Sequence, residues 1–425
     1  MTDDKHVGIL ALEVYTPRTY VQQAALEQHT GVPAGKYTIG LGQEGLAVTG
    51  DAEDVNSLCL TAVHSLLEKY VPTLTLWLSL FRIVCGCGCH TCSSCHPIAH
   101  PPSVIDLFFP HRYNIDPQQV GRLEVGTETL VDKSKSTKTV LMDLFPNNTD
   151  MEGATVINAC YGGTAALLNA FLWCESAGWD GRYAIVVAAD IAAYARGPAR
   201  PTCGVGAVAV LVGRDAPLSF DPRQRATHAA HVWDFYKPDH TVEYPTVDGA
   251  LSQVCYYQAL EDVYERFCAK MGPDFDASAS DYFCFHSPYN KLVQKSYARL
   301  FLLDARRRHL LKQSEEATEE KKDGSETPPE EDPLAPWLDT PIEDTYNDKA
   351  LEKVLKSVAA ADYRQRLGDA NAASVAVGNT YTASVLLGLA SLVDRRGMDK
   401  MTPGQSIVMF SYGSGALATM YRLQV

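Results

Sequence analysis

The 425-residue sequence predicts an α/β protein of layered sheets and helices built as two comparable halves. Apolar runs of strand length alternate with segments of helical period, the pattern expected of sheets covered by helices. Each half carries its own set of such runs. Each also closes on a glycine-punctuated, strand-rich segment, one near Gly213 and the other FSYGSGALATMYRLQV at the chain end.

The first strand is VGILALEVY, whose apolar residues alternate as on a pleated surface. TVINACYGGTAALLNA places Cys160 between a short β-branched run and a Gly-Gly-Thr that opens an apolar helix. RYAIVVAAD and GAVAVLVG complete the first half as strands. In the second half LSQVCYYQALEDVYERFCAK and NKLVQKSYARLFLLDARRR read as helices, and DYFCFH and SIVMFSYGSG as strands. The boundary near Gly213 gives halves of 1–213 and 214–425.

A hydrophobic content of 46% supports a large core. The balance of 37 basic and 51 acidic residues, a net charge of −14, argues against a nucleic-acid or membrane-surface binder. An anionic ligand therefore needs a local cluster of cations. The N-terminus carries two aspartates where a leader peptide needs basic residues, which points to the cytoplasm. The longest apolar stretch, Val71 to Val84, is too short to span a bilayer and is broken by Arg82. Five of the twelve cysteines fall between Cys85 and Cys95, and the scatter of the rest fits free thiols in a reducing compartment.

Two segments stand apart. Residues 313–344 are acidic and proline-bearing with few core residues, and read as a surface loop or spacer. Residues 71–113 hold CGCGCHTCSSCH, where Cys92 and Cys95 have zinc-like spacing but lack a second pair at a set distance. Removing this block joins SLLEKY smoothly to NIDPQQVGRLEVG. It reads as a translated intron: Lys69-Tyr70-Val71 can encode a splice donor, and LFFPHR a pyrimidine tract ending in an acceptor.

Cys160 taken alone is a buried structural thiol or a nucleophile. Gly162 and Gly163 favour the nucleophile, because a helix opening there aims N–H groups at the sulfur and should lower its pKa. His286 ends an apolar strand and precedes a helix bearing Lys291 and Lys295, four residues apart on one face and spaced either to hold a phosphate or to form a solvated surface. Asn379 sits in a small-residue turn, VGNTYTAS. Ser414 lies between Gly413 and Gly415, which should let backbone approach a ligand closely. Glu128 follows an apolar strand in RLEVGTETLVDKSKS.

Together INACYGGTAALLNA, RLEVGTETLVDKSKS, AGKYTIGLGQ, WDGRYAIVVAADIA, HVWDFYKPDHTVEYPTVDG, FHSPYNKLVQKS and FSYGSG resemble the 3-hydroxy-3-methylglutaryl-coenzyme A synthases. The resemblance implies a thiolase-like fold, layered α-β-α-β-α, with the site between two similar halves and a homodimeric assembly. It also implies condensation of acetyl-CoA with acetoacetyl-CoA in the mevalonate pathway, with acyl-CoA substrates and no metal or redox cofactor. Cys160 is then the nucleophile, Glu128 the general acid/base and His286 its partner. Ala34, Thr202, Ser252, Asn379 and Ser414 match substrate-contacting positions, and Lys291 and Lys295 positions near the coenzyme A phosphates. The amides of Cys160 and Ser414 are the expected oxyanion hole.

Departures from the family pattern are Pro198 in place of an asparagine, Cys203 in place of a glycine, Pro33 in place of an acid and Thr380 in place of an apolar residue. The family also continues beyond YRLQV. A chain with these changes is expected to be less active than its relatives, or inactive. Two rival readings differ in chemistry: a ketoacyl-synthase-like condensing enzyme, which needs no base such as Glu128, and a zinc-dependent interaction protein built on residues 85–95.

Overall fold

Nine strands join into one mixed sheet in the computed structural model, which describes residues 6–68, 115–239, 241–316 and 332–425. Residues 71–113, with their cysteine cluster, and residues 317–331 of the acidic stretch lie outside the described residues. The first half runs β1 (Val7–Tyr15), β2 (Thr19–Gln22), α1 (Gln23–Thr30), β3 (Gly45–Val48), α2 (Val55–Glu68), β4 (Val120–Gly126), α3 (Thr137–Leu141), β5 (Thr155–Val156), α4 (Gly162–Glu175), β6 (Tyr183–Ala192) and β7 (Gly204–Arg214). The second runs β8 (Leu218–Ala229), β9 (Phe235–Tyr236), β10 (Thr246–Val247), α5 (Gly249–Met271), β11 (Tyr282–Phe285), α6 (Asn290–Glu316), α7 (Lys349–Arg366), α8 (Gly368–Val377), α9 (Ser384–Arg396), β12 (Ser406–Gly413) and β13 (Leu417–Gln424).

The sheet order is β11-β12-β13-β8-β1-β7-β6-β4-β5. From β1 outward the first half pairs antiparallel with β7, antiparallel to β6, then parallel to β4. From β8 outward the second half repeats those directions through β13, β12 and β11. The halves join edge to edge where Gly8 pairs with Ser219 and Ile9 with Leu218. A Cβ on Gly8 would lie 2.0 Å from the Leu218 carbonyl oxygen, so this seam needs glycine.

Period-2 alternation sorts each strand between two helical layers. In β7, Val208, Val210 and Val212 pack with α4 and α9, together with Ile407, Met409, Tyr421 and Leu423 of the second half. Ala207, Ala209 and Leu211, one residue out of phase, face α2. In the second half Phe283, Phe285, Val408 and Phe410 face α5 and α6. The layers are therefore α2, sheet, α4 with α9, sheet, and α5 with α6. Because both faces are covered, β6 and β7 read as nearly unbroken apolar runs.

The described part of 313–344 departs from the expected loop. Ser314 and its neighbours extend α6, and Leu334 is buried with Leu351 and Leu355 of α7 while Trp337, Leu338 and Ile342 pack around it. A few well-spaced apolar residues suffice to dock this stretch, although its composition is that of a spacer.

Small residues let α4 press against the strand ends. A Cβ on Gly163 would meet the Thr382 carbonyl oxygen at 2.4 Å and the Ala188 Cβ at 2.6 Å. Gly163→Ala is expected to cost about 1–3 kcal/mol through overpacking. Gly249→Ala, where nothing lies within 4 Å, should stay within about 0.5 kcal/mol of the parent. Denaturant unfolding of the two variants tests the contrast.

Candidate active site

Glu128 lies just past the end of β4 and His286 just past the end of β11, at equivalent places in the two halves. Cys160 occupies the turn between β5 and α4. Its φ of 53° is left-handed, a conformation uncommon for a residue with a side chain. Tyr381, just before α9 in the other half, has φ 45°. Gly413 packs against the Cys160 turn from the far side: a Cβ there would lie 2.0 Å from the Ala159 carbonyl oxygen. The close approach expected between this glycine and a ligand is thus an approach to the turn that carries Cys160.

Cys160 and Glu128 meet directly. The Cys160 N–H donates to Glu128 Oε2 at 2.6 Å. That amide is therefore committed to Glu128 and not to an oxyanion hole. Burial pushes the Glu128 carboxyl up to about 8, with the nearby Asp190 charge adding to the shift. The thiol also moves opposite to expectation. Burial first, and then the Glu128 and Asp190 charges, drive Cys160 well above an ordinary cysteine, and these outweigh the local field of the helix N-terminus.

His286 is buried, and burial alone lowers it to about 3, so at neutral pH the imidazole is uncharged. Its N–H donates to the Phe410 carbonyl, its carbonyl accepts from Tyr256 Oη, and its Nδ1 is buried with no partner among the described residues. The next residue, Ser287, donates its N–H to Ser384 Oγ at the start of α9.

Asp190, at the end of the RYAIVVAAD strand, binds these parts together. Its Oδ1 accepts from Thr127 Oγ1, the N–H of Glu128, and both the N–H and Oγ1 of Thr129, at 2.8–3.0 Å. Its Oδ2 accepts from the N–H and Oγ1 of Thr382, at 2.9 and 2.5 Å. Lys237, just after β9, donates to the Glu128 carbonyl at 3.3 Å and stands 3.8 Å from Oε1. Both residues were hidden in the sequence as an acid ending a strand and a lysine in a longer motif.

The remaining candidates fall into three groups. Thr202 and Asn379 are buried and joined, the Asn379 N–H donating to the Thr202 carbonyl, while the Asn379 side chain accepts the Tyr381 N–H. Ser414 follows β12, where Asp234 accepts the neighbouring Gly415 N–H, and Ser252 lies on the first turn of α5. Lys291 and Lys295 line an open cleft with Tyr257, Tyr346 and Lys356, and Lys295 pairs with Glu352 at 3.1 Å. Cys160, Glu128 and His286 do not line it. Ala34 sits on an exposed loop tied to α6 where Lys291 N–H donates to the Leu41 carbonyl. Glu27 shapes that loop by accepting from the N–H groups of Thr38, Gly35 and Tyr37, which pull its carboxyl down to about 2.

Among the described residues no group of three or more His, Cys, Asp or Glu side chains is gathered to hold a metal ion. Of the departures, Pro198 is exposed, and the Cys203 carbonyl presses on Gly378, where a Cβ would lie 1.9 Å away. Thr380 is fully buried and its Oγ1 has no partner among the described residues.

The "Hydroxymethylglutaryl-coenzyme A synthase N terminal" family model matches residues 3–77 and 103–217, and the "C terminal" model residues 218–425. Residues 78–102, inside the block read as an insertion, fall outside both. The chain is 42% identical over 431 residues to hydroxymethylglutaryl-CoA synthase A of Dictyostelium discoideum, covering 100% of this chain and 77% of the relative. It is 44% identical over 432 residues to the cytoplasmic hydroxymethylglutaryl-CoA synthases of Gallus gallus and Homo sapiens, covering 99% of this chain and 72% of each. A solved structure of MvaS in complex with 3-hydroxy-3-methylglutaryl coenzyme A superposes with a TM-score of 0.74 at 29% identity, covering 99% of this chain and 84% of that one.

A buried hydroxyl without a partner is costly, on the order of 1–3 kcal/mol. Thr380→Val keeps the shape and removes the hydroxyl, so it is expected to stabilise the protein by about 1 kcal/mol. A thermal or denaturant melt beside the parent measures it.

Proposed function

The chain belongs to the hydroxymethylglutaryl-coenzyme A synthase family, and from that premise we propose that it works through an acetyl group carried on Cys160. The reaction condenses acetyl-CoA with acetoacetyl-CoA and water to 3-hydroxy-3-methylglutaryl-CoA and CoA, in the mevalonate pathway. The observation that carries the assignment of residues is the hydrogen bond from the Cys160 N–H to the Glu128 carboxylate at 2.6 Å.

The Cys160 sulfur attacks the acetyl thioester, the bond from the acetyl carbon to the CoA sulfur breaks, and the thiol proton leaves with CoA. The acetyl group stays a thioester, so its methyl protons remain acidic enough for Glu128 to remove one. The resulting enolate adds to the ketone of acetoacetyl-CoA. His286, uncharged at neutral pH, donates a hydrogen bond to that oxygen as it becomes an alkoxide. Protonated Glu128 returns its proton to the alkoxide, and water then cleaves the enzyme thioester. Ser414 remains a candidate amide donor to the acyl carbonyl, and Thr202, Asn379, Ala34 and Ser252 line the path of the substrate.

Lys291 and Lys295 hold the anionic end of the acyl-CoA. A thioester and a carboxylate suffice for this carbanion chemistry, so the proposal gives no step to a metal or redox cofactor. A decarboxylating ketoacyl synthase is disfavoured because its substrate supplies the carbanion without a base such as Glu128.

The relatives from Gallus gallus and Homo sapiens are named cytoplasmic, and no helix of the described residues is long and apolar enough to cross a membrane. A cytoplasmic location follows as part of the proposal. So does a homodimer: β5 ends the sheet, and Ile157 beside it is 56% exposed. Sedimentation should give twice the 46.5 kDa chain mass; a monomer at micromolar concentration contradicts the assembly.

With labelled acetyl-CoA, Glu128→Ala is expected to keep acetylation of the protein but lose condensation by roughly a hundredfold or more. Cys160→Ala should lose both. Condensation at the parent rate by the Glu128 variant removes the assigned base.

A further inference from the structure

The charge inventory of the site is lopsided. Asp190 bonds the Glu128 N–H and its charge acts on the Glu128 carboxyl, His286 is neutral, and each reaction step creates a further anion on sulfur, enolate carbon or alkoxide oxygen. Among the described residues the cation paired with Glu128 is Lys237, 3.8 Å from Oε1 and bonded to the Glu128 carbonyl at 3.3 Å. Resting on the function proposed above, we infer that Lys237 is a positioning residue that sets the proton affinity of Glu128, and that Glu243 competes for it from outside.

Several features make this geometric and not incidental. Lys237 follows β9, whose partner β10 closes a two-stranded hairpin over Glu128. Its root is anchored by buried Asp234, which accepts the Gly415 N–H at 3.0 Å and the Tyr412 hydroxyl at 3.3 Å. The ammonium is therefore delivered from the second half to a carboxylate of the first. On its outer side Glu243 approaches Nζ to 3.5 Å and is 57% exposed. The groups that face Glu128 are Asp190 from β6, Cys160 from the turn before α4, Lys237 from the hairpin, and Tyr194 and Tyr381 at longer range. Of these Lys237 favours the ionised carboxylate electrostatically, whereas Asp190 and burial oppose it.

The sign follows directly. Glu128 must be ionised to remove the methyl proton, so the condensation step falls on the acidic side of its pKa. An opposite charge within about 4–6 Å lowers a carboxyl pKa by about 1–3 units. Removing Lys237 should move the acidic limb upward, and neutralising Glu243 should move it downward by less, because that carboxylate is screened by solvent.

The test is the pH profile of single-turnover condensation, starting from protein already acetylated on Cys160 and mixed with acetoacetyl-CoA. The parent limb is expected near pH 8. K237M should shift it up by about one unit or more, a loss of roughly tenfold or more at pH 7; K237R should restore it, and E243Q should move it down. A K237M profile that superimposes on the parent after scaling overturns the inference, as does an arginine variant no better than methionine. If K237M does not fold, K237Q carries the same comparison against K237R. If the parent itself is never acetylated, the proposed function fails; if the parent turns over and only the shifts are missing, this inference alone fails.

Discussion

A single buried carboxylate, Asp190, holds the site in register. One of its oxygens collects four hydrogen bonds from the Thr127–Thr129 loop and the other two from Thr382, so the group spans both halves of the molecule. Burial raises its carboxyl, and these donors pull back against it. A charge this deep survives only when its lone pairs are filled, which makes the loop geometry as rigid as the charge is costly. Glu128 inherits its orientation from this arrangement, and Cys160 is pinned to Glu128 in turn.

The two halves contribute corresponding positions to different tasks. The parallel strands β4 and β11 end at Glu128 and His286, and the central helices α4 and α9 begin just after two left-handed residues, Cys160 and Tyr381. Groups at the carboxyl ends of parallel strands converge where a ligand can reach them. Duplicated geometry thus presents a thiol beside a carboxylate from one half, and a neutral imidazole from the other. The segment from Thr382 to Ser384 touches both, Thr382 bonding Asp190 and Ser384 accepting from Ser287 beside His286.

The layered fold was legible because periodicity records burial: β7 is uncharged and buried from Gly204 to Gly213, up to Arg214 at its end, since helices cover both its faces. Cys160 and His286 drew attention in the sequence through local punctuation, glycines after one and a strand end before the other. Asp190 and Lys237 did not, since their meaning lies in partners 62 and 109 residues away. The expected fall in the Cys160 pKa failed for the same reason. The helix start is local and visible, whereas burial and two carboxylates are tertiary. Likewise the residues around Leu334 looked like a spacer because composition averages over the few side chains that dock.

The protonated state of Cys160 has a further consequence. Oxidants and alkylating electrophiles attack a thiolate far faster than a thiol, and many cysteine enzymes keep a thiolate standing beside an imidazolium. Here the imidazole stays uncharged and the neighbouring groups are acids. The resting sulfur is therefore expected to react slowly with such reagents, a quiet that a sulfur set beside a charged imidazole would lack.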